Sequence, residues 1–289
     1  MYALRNLSDQ LVDAMPWLDK AAGILHKVSD PVFGQDGPTE IKDALYGTWL
    51  GHPLHPAVTD LPIGFWSSSM LLDALGAEEG ADLTLKAGTL SALAAAVTGI
   101  AQWHDLQEED QPRRLGTLHA LINVGATTCY GISWIMRDNH ARGAGIAWSL
   151  VGGSLAMIGA TIGGDLSFRL GIGVSRVAFE QRATEWVDAI ALDELEENTP
   201  KRVEIETGPL VLVRQGDRVL AASATCTHVG GPLDEGEMHG TCVQCPWHGS
   251  VFDLTNGEVV NGPATTPLHA YETRVRDGQV QVIAVPPAF

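Results

Sequence analysis

The sequence predicts a multidomain membrane protein, with an all-α bundle of four transmembrane helices followed by an all-β domain built around two metal-binding loops. Three observations carry this expectation. Four apolar segments occupy 56–75, 87–103, 115–136 and 143–164, and the last two hold no Asp, Glu, Lys or Arg. At ~1.5 Å per residue, each of those two can cross a ~30 Å hydrocarbon core. Beyond residue 200 the pattern turns into short β-rich runs, and among them stand Cys226, His228, Cys245 and His248. The expected boundaries are 1–46 for N-terminal amphipathic helices, 47–170 for the bundle, 171–200 for an acidic linker and 201–289 for the β domain.

A chain of 289 residues has room for two domains, and its net charge of −17 argues against nucleic acid as a partner. Of the four cysteines, Cys129 lies in an apolar segment and Cys242 in an expected strand, both readable as small buried hydrophobes. No disulfide framework is suggested, which fits a reducing compartment. Ser8, Asp9 and Asp13 interrupt the place where a signal peptide would be apolar. Leu4, Leu7, Leu11, Ala14, Leu18, Ala21, Leu25 and Val28 have a heptad-like spacing, so the N-terminus reads as amphipathic helix, split by Pro16. Acidic residues on its polar face favour packing on the protein over the lipid surface; a dimer contact is the alternative, and a homo-oligomer is compatible with it.

Small residues such as Ala87-Gly88-Thr89 and Gly152-Gly153-Ser154 let membrane helices approach closely. A soluble bundle would need a charged outer face, which the third and fourth segments lack. Loop charges set the orientation. Lys42, Arg113, Arg114, Arg169, Arg176 and Arg182 fall on one side, and only Lys86, Arg137 and Arg142 on the other. Both termini and the β domain are therefore expected in the cytoplasm. On that topology His52, His55, His104 and His119 gather at the inner boundary, and Asp60 with them. The uncharged run between Asp60 and Asp73 is twelve residues, only ~18 Å of helix, so Asp60 should enter the bundle and find a partner. Three roles compete for this set: a capping and hydrogen-bonding cluster, a ligand set for b-type haem or another metal ion, or a quinone pocket. His26, His140, His239 and His269 read as surface residues.

From 171 to 200 the acidic run Glu194, Glu196, Glu197 suggests a helix ending in an Asn198-Thr199-Pro200 hinge. Strands are expected at 203–206, 210–214, 218–222, 271–276 and 279–285, with turns at Gln215-Gly216-Asp217, Asn256-Gly257 and Asp277-Gly278. The loops read CTHVGGPL from Cys226 and CPWHGSVFD from Cys245, separated by sixteen residues between His228 and Cys245. Two thiolates and two imidazoles suit either a structural zinc or a 2Fe–2S cluster. Zinc sites pair Cys with Cys and His with His, whereas each loop here supplies one of each. That alternation suits two irons. Gly230, Gly231 and Gly249 allow tight turns that aim backbone N–H groups at sulfur.

These loops and their flanking strands resemble a Rieske 2Fe–2S domain. The resemblance implies Cys226 and Cys245 on the inner iron and His228 and His248 on the outer one, with Gly262-Pro263-Ala264 as the proline loop covering the cluster. Gly231 and Trp247 stand where the cytochrome bc type has a disulfide. Phe252 replaces a Tyr that bonds a cluster thiolate, while Ser250 is kept. Fewer hydrogen bonds to sulfur stabilise the reduced state less, which implies a low-potential, ferredoxin-like branch. The segment HPLHPAVTDLPIG from His52, continued by TGIAQWHD, LGTLHALIN and GGDLSFRLG, resembles a small bacterial four-helix membrane family of unknown function.

Electron transfer is the function these features imply, with a reductase or oxygenase as redox partner and the lipid bilayer as anchor. A complete oxygenase would need a 2-His-1-carboxylate iron domain after the cluster, and only about forty residues follow His248. A self-sufficient reductase would need a G-x-G-x-x-G fingerprint, which is absent. The alternative class is a non-catalytic redox sensor or transport subunit with a regulatory cluster.

Overall fold

The computed structural model describes residues 7–34, 37–106 and 110–286. They divide into two units, Met1–Pro38 with Pro53–Ile172 and Thr39–His52 with Gly173–Phe289. In chain order the helices are α1 (Leu7–Asp13), α2 (Trp17–Phe33), α3 (Thr39–Tyr46), α4 (Leu54–Ala74), α5 (Glu78–His104), α6 (Asp110–Asp138) and α7 (Arg142–Gly164). All but α3 belong to the first unit. Leu4, the first member of the heptad-like spacing, lies outside the described residues. Pro16 separates α1 from α2, as its missing N–H and fixed φ require.

Within the first unit, α4 and α5 form one hairpin and α6 and α7 another. Trp66 and Tyr130 stack at 4.0 Å in the interior. Val12 and Leu18 from the N-terminal helices share a buried cluster with Leu115, Leu118, Ile162 and Leu166. Asp19 fastens α2 to α6 by accepting from Arg113 (3.2 Å) and Arg114 (2.8 Å). At the opposite end of the bundle Arg137, 6% exposed, donates to Asp73 at 2.5 Å and Asp82 at 2.9 Å. Arg142 reinforces both carboxylates. The four helices exist at the expected places, but among the described residues only α5 and α7, the latter running through the π-helical turn to Arg169, are long and apolar enough to cross a membrane. Asp60 and Asp73 interrupt α4, and α6 carries Arg113 and Arg114 near its start with His119 and Asn123 further along.

The second unit holds two antiparallel sheets. The strands are β1 (Val187–Ala191), β2 (Lys201–Ile205), β3 (Gly208–Gln215), β4 (Arg218–Ser223), β5 (Glu237–His239), β6 (Cys242–Gln244), β7 (Val251–Asp253), β8 (Val259–Asn261), β9 (Ala270–Arg276) and β10 (Gln279–Ala284). Their order is β1-β10-β9-β4-β3-β2 in one sheet and β5-β6-β7-β8 in the other. Two expectations change here. The linker is not a helix: β1 pairs with β10, Trp186 stacks under Arg274 at 4.2 Å, and the acidic run forms a 3₁₀ turn, Leu192–Glu194. Sheet pairing overrides the helical reading, because an edge was open beside β10. The expected boundary at 46 also moves, since Thr39–His52 joins the second unit.

Candidate metal centre

The small sheet and its connections bring three loops together. The first runs from β4 to β5, the second joins β6 to β7, and the third joins β8 to β9. The first two loops close alike although their Cys–His spacings differ. Cys226 N–H donates to the carbonyl of Gly231 at 2.9 Å, and Gly230 N–H to that of Cys226 at 3.0 Å. Cys245 N–H donates to Ser250 O at 2.8 Å, and Gly249 N–H to Cys245 O at 3.1 Å. Both turns pass through positive φ, 93° at Gly230 and 78° at Gly249, where a Cβ would be strained.

The four expected donors come together as two pairs, one of thiols and one of imidazoles. Cys226 and Cys245 are buried, unbridged and hydrogen-bonded to each other. The half-buried rings of His228 and His248 lie edge to face, 5.1 Å apart. The hydrogen bond between the two thiols, with burial, raises Cys226 well above the usual thiol range. The same bond, with the Trp247 and His248 N–H groups, lowers Cys245. Ser250 and the N–H of His228 favour the Cys226 thiolate. Burial, then repulsion from His248 and Arg176, pushes His228 down to about 3, so its imidazole is neutral at physiological pH, as a metal ligand must be.

This donor set fits a 2Fe–2S cluster. Buried sulfurs on one side and partly exposed imidazoles on the other match the two kinds of iron, and backbone donors already point at sulfur. A Cβ at Gly231 would stand 2.7 Å from Cys245 Sγ, so this wall of the site must stay bare. Trp247 is exposed beside His248, whereas Ser250 and Phe252 are fully buried. Pro263 lies in the third loop, after a cis Gly262-Pro263 bond. That loop is tied to both others: Ala264 N–H donates to Ser250 Oγ at 3.0 Å, and Thr227 Oγ1 donates to Thr266 O at 2.7 Å.

Two contributors escaped the sequence reading. Asp43, on α3, accepts from Gly262 N–H at 2.7 Å and Asn261 Nδ2 at 3.0 Å, so it grips the covering loop. Arg176 lies near His228, and its N–H donates to Thr227 O at 3.1 Å. Neither stands near the motif in sequence, and no local signal marks them.

The second expected site does not assemble as a set. His55 and His119 come together, edge to face at 6.3 Å. Their Nδ1 atoms bond the carbonyls of Ala95 and Gly159, each at 2.9 Å. His104 lies on a different face of α5, next to His26, which is half-buried rather than on the surface. His52 belongs to the other unit, and Asp60 is exposed rather than turned inward. Nine residues separate Ala95 from His104, and at ~100° each they leave the two on opposite sides of the helix. His269 is likewise half-buried.

Comparison with known proteins agrees with the geometry. The model for the Rieske 2Fe-2S domain matches residues 185–272, and that for a predicted membrane protein family, DUF2231, matches residues 51–176. Ferredoxin CarAc of Metapseudomonas resinovorans is 35% identical over 98 residues, covering 34% of this chain and 92% of that protein. The anthranilate 1,2-dioxygenase ferredoxin subunit of Burkholderia cepacia is 34% identical, covering 36% of this chain and 95% of that protein. A solved complex of reduced oxygenase and oxidized ferredoxin in carbazole 1,9a-dioxygenase contains a chain 34% identical, covering 35% of this chain and 94% of that one, with a TM-score of 0.33. By its relatives and by its C-terminal domain the chain belongs to the Rieske 2Fe–2S family, with a DUF2231 predicted membrane domain preceding that domain.

Proposed function

We propose that this protein is a membrane-anchored electron carrier, with Cys226, Cys245, His228 and His248 holding its cluster. The observation that carries this reading is the pairing of two buried thiols with two half-buried imidazoles on loops of matching closure. The bound cluster supplies a site that takes up and gives out one electron at a time. The chain's residues do the rest. Ser250 and the N–H groups of His228, Trp247 and His248 stabilise charge on sulfur, and the third loop shields the buried side from water. The imidazole edge, flanked by exposed Trp247, is where a partner protein docks and electrons pass. A reductase as donor and an oxygenase as acceptor are the partners that the ferredoxins of dioxygenase systems suggest.

In this reading α4 and α6 cross the bilayer beside α5 and α7, and both termini face the cytoplasm. Exposed Leu61, Leu71, Leu121, Val124 and Ile135 support lipid contact on α4 and α6. His55 and His119 form a second redox site in the bundle, for a b-type haem, another metal ion or a quinone. Their support is the carbonyl anchoring of each Nδ1, which is how ligand histidines are oriented. The test is reduction of the purified full-length protein followed by reoxidation with an oxygenase component. Turnover that depends on Cys245 and His248 supports electron carriage; a cluster that forms but never exchanges electrons with any partner overturns it.

A further inference from the structure

The two hairpins of the helical unit follow one plan at an offset of 64 residues. α4 ends at Ala74 and α6 at Asp138, and α5 begins at Glu78 and α7 at Arg142, so the two turns span equivalent positions. Gly76 and His140 take positive φ there, 73° and 60°. Ala77 N–H donates to Leu72 O and Ala141 N–H to Met136 O, each at 2.9 Å. Few residue types are shared at this offset, yet the side-chain contacts inside each hairpin match as well. His55 Nδ1 bonds the carbonyl of Ala95, and His119 Nδ1 that of Gly159, both 40 residues further on. The two rings lie against Gly99 and Gly163, where a Cβ would come within 2.8 Å and 3.0 Å of them. Trp66 lies against Gly88 and Tyr130 against Gly152 in the same way, at 2.6 Å and 3.0 Å.

Four pairs of equivalent residues also meet each other. His55 faces His119, Trp66 stacks on Tyr130 at 4.0 Å, Asp73 pairs with Arg137, and Glu78 with Arg142 at 3.5 Å. A residue touches its own equivalent only beside an axis that exchanges the two halves, so these contacts trace a pseudo-twofold axis between the hairpins. The halves differ most at the end where the turns lie. The first turn and its flanks carry Asp73, Glu78 and Asp82, whereas the second carries Arg137 and Arg142. Two copies of the first hairpin would oppose carboxylates there, and two copies of the second would oppose guanidinium groups. Opposite charges at equivalent positions make each hairpin fit the other and reject its own like.

We infer that the helical unit is a tandem repeat of one helical hairpin, and that the face along its axis is an interaction surface whose partner is the oppositely charged repeat. Arg137 and Arg142 reach across to Asp73 and Asp82 together, at 2.5–3.0 Å, so the charged end is one network rather than separate pairs. The side chains of Arg137 and Asp73 are 1% and 8% exposed, and a buried pair that lost one sign of charge would leave the other uncompensated. The His55–His119 pair belongs to both repeats equally, each ring being held by the same means in its own hairpin.

The test exchanges residues 73–82 with residues 137–146 in the full-length protein, which moves every charge of this end to the equivalent place on the other hairpin. A second chain carries the 137–146 sequence at both places, setting basic groups against basic groups. Thermal unfolding in detergent is followed by helical circular dichroism, with the Rieske spectrum as a check on the β domain. The one-sided chain should lose about 10 °C or more in Tm, and the exchanged chain less than half of that loss. An exchanged chain that loses half as much or more, or that alone fails to fold, overturns the repeat. A one-sided chain as stable as wild type also overturns the proposal, because the charges then select nothing. Should both chains fail to fold, Trp66→Tyr combined with Tyr130→Trp decides. That double variant should unfold closer to wild type than Trp66→Tyr alone, and an equal or greater loss overturns the equivalence.

Discussion

Each unit of this protein sets two imidazoles edge to face, but by opposite means. In the β domain His228 and His248 lie 5.1 Å apart on loops, beside two buried thiols. In the helical unit His55 and His119 lie 6.3 Å apart on helices, and both rings bond main-chain carbonyls of neighbouring helices. A turn at positive φ frees backbone N–H groups to face a ligand, as Gly230 and Gly249 allow. A helix satisfies its own backbone, so polar side chains become the ties between helices. Arg137 with Asp73 and Asp82, and Asp19 with Arg113 and Arg114, are such ties. The β domain therefore builds its chemistry from loops, whereas the helical unit commits most of its polar groups to assembly.

The largest effect should come from breaking the loop side of this contrast. Cys245→Ser should abolish the cluster's visible and EPR signals, while the helical unit keeps its α-helical circular dichroism. A cluster persisting at wild-type occupancy would show that these loops do not hold it. On the helical side, Arg137→Met leaves Asp73, whose side chain is 8% exposed, without its main partner. Breaking such a buried pair costs about 3–5 kcal/mol. Unfolding in detergent should show that loss with the Rieske spectrum unchanged; a loss under 1 kcal/mol would mean Arg142 suffices alone.

The same contrast explains what was legible in the sequence. Cys226, His228, Cys245 and His248 were readable because each loop is local and its closure follows from a few adjacent residues. The hairpin turns at Asn256-Gly257 and Asp277-Gly278 were readable for the same reason. The histidines of the bundle were not, because membrane depth alone grouped His104 with His55, while the face of α5 separates them. Asp43 was hidden by distance: it grips Gly262 from 219 residues away. Strand β1 was hidden because its acidic surroundings favour helix locally, and only the open edge of β10 makes it a strand.

A sharper test of the loop environment concerns Phe252, fully buried in the core that includes both cysteines. The Rieske resemblance places a thiolate-bonding Tyr at this position. A hydrogen bond to a charged sulfur forms in both redox states, and its strengthening on reduction by about 1 kcal/mol is roughly 40 mV for a one-electron couple. Phe252→Tyr should raise the midpoint potential by about that much, measured by EPR-monitored titration. An unchanged or lower potential would show that no thiolate is within reach of the new hydroxyl.

The smallest expected effect belongs to Asp43, and it asks whether the covering loop depends on a segment from outside the Rieske-like sequence. The carboxylate accepts from Gly262 N–H and from the Asn261 side chain, both charge-assisted bonds. The adjoining Thr48 hydroxyl would lie 2.8 Å from any Cβ at Gly262, so the segment sits directly against that loop. Asp43→Asn keeps the shape, removes the charge and turns one acceptor into a donor that faces N–H groups. Hydrogen bonds to a charged group contribute about 1.5–3 kcal/mol each, but the site is half-buried and water can replace part of them. The net loss should be about 1 kcal/mol. It should appear as faster amide exchange through residues 262–264 and a slightly higher potential, because a negative charge near the cluster is gone. Exchange rates equal to wild type would mean that the ties to Ser250 and Thr227 hold the loop without α3.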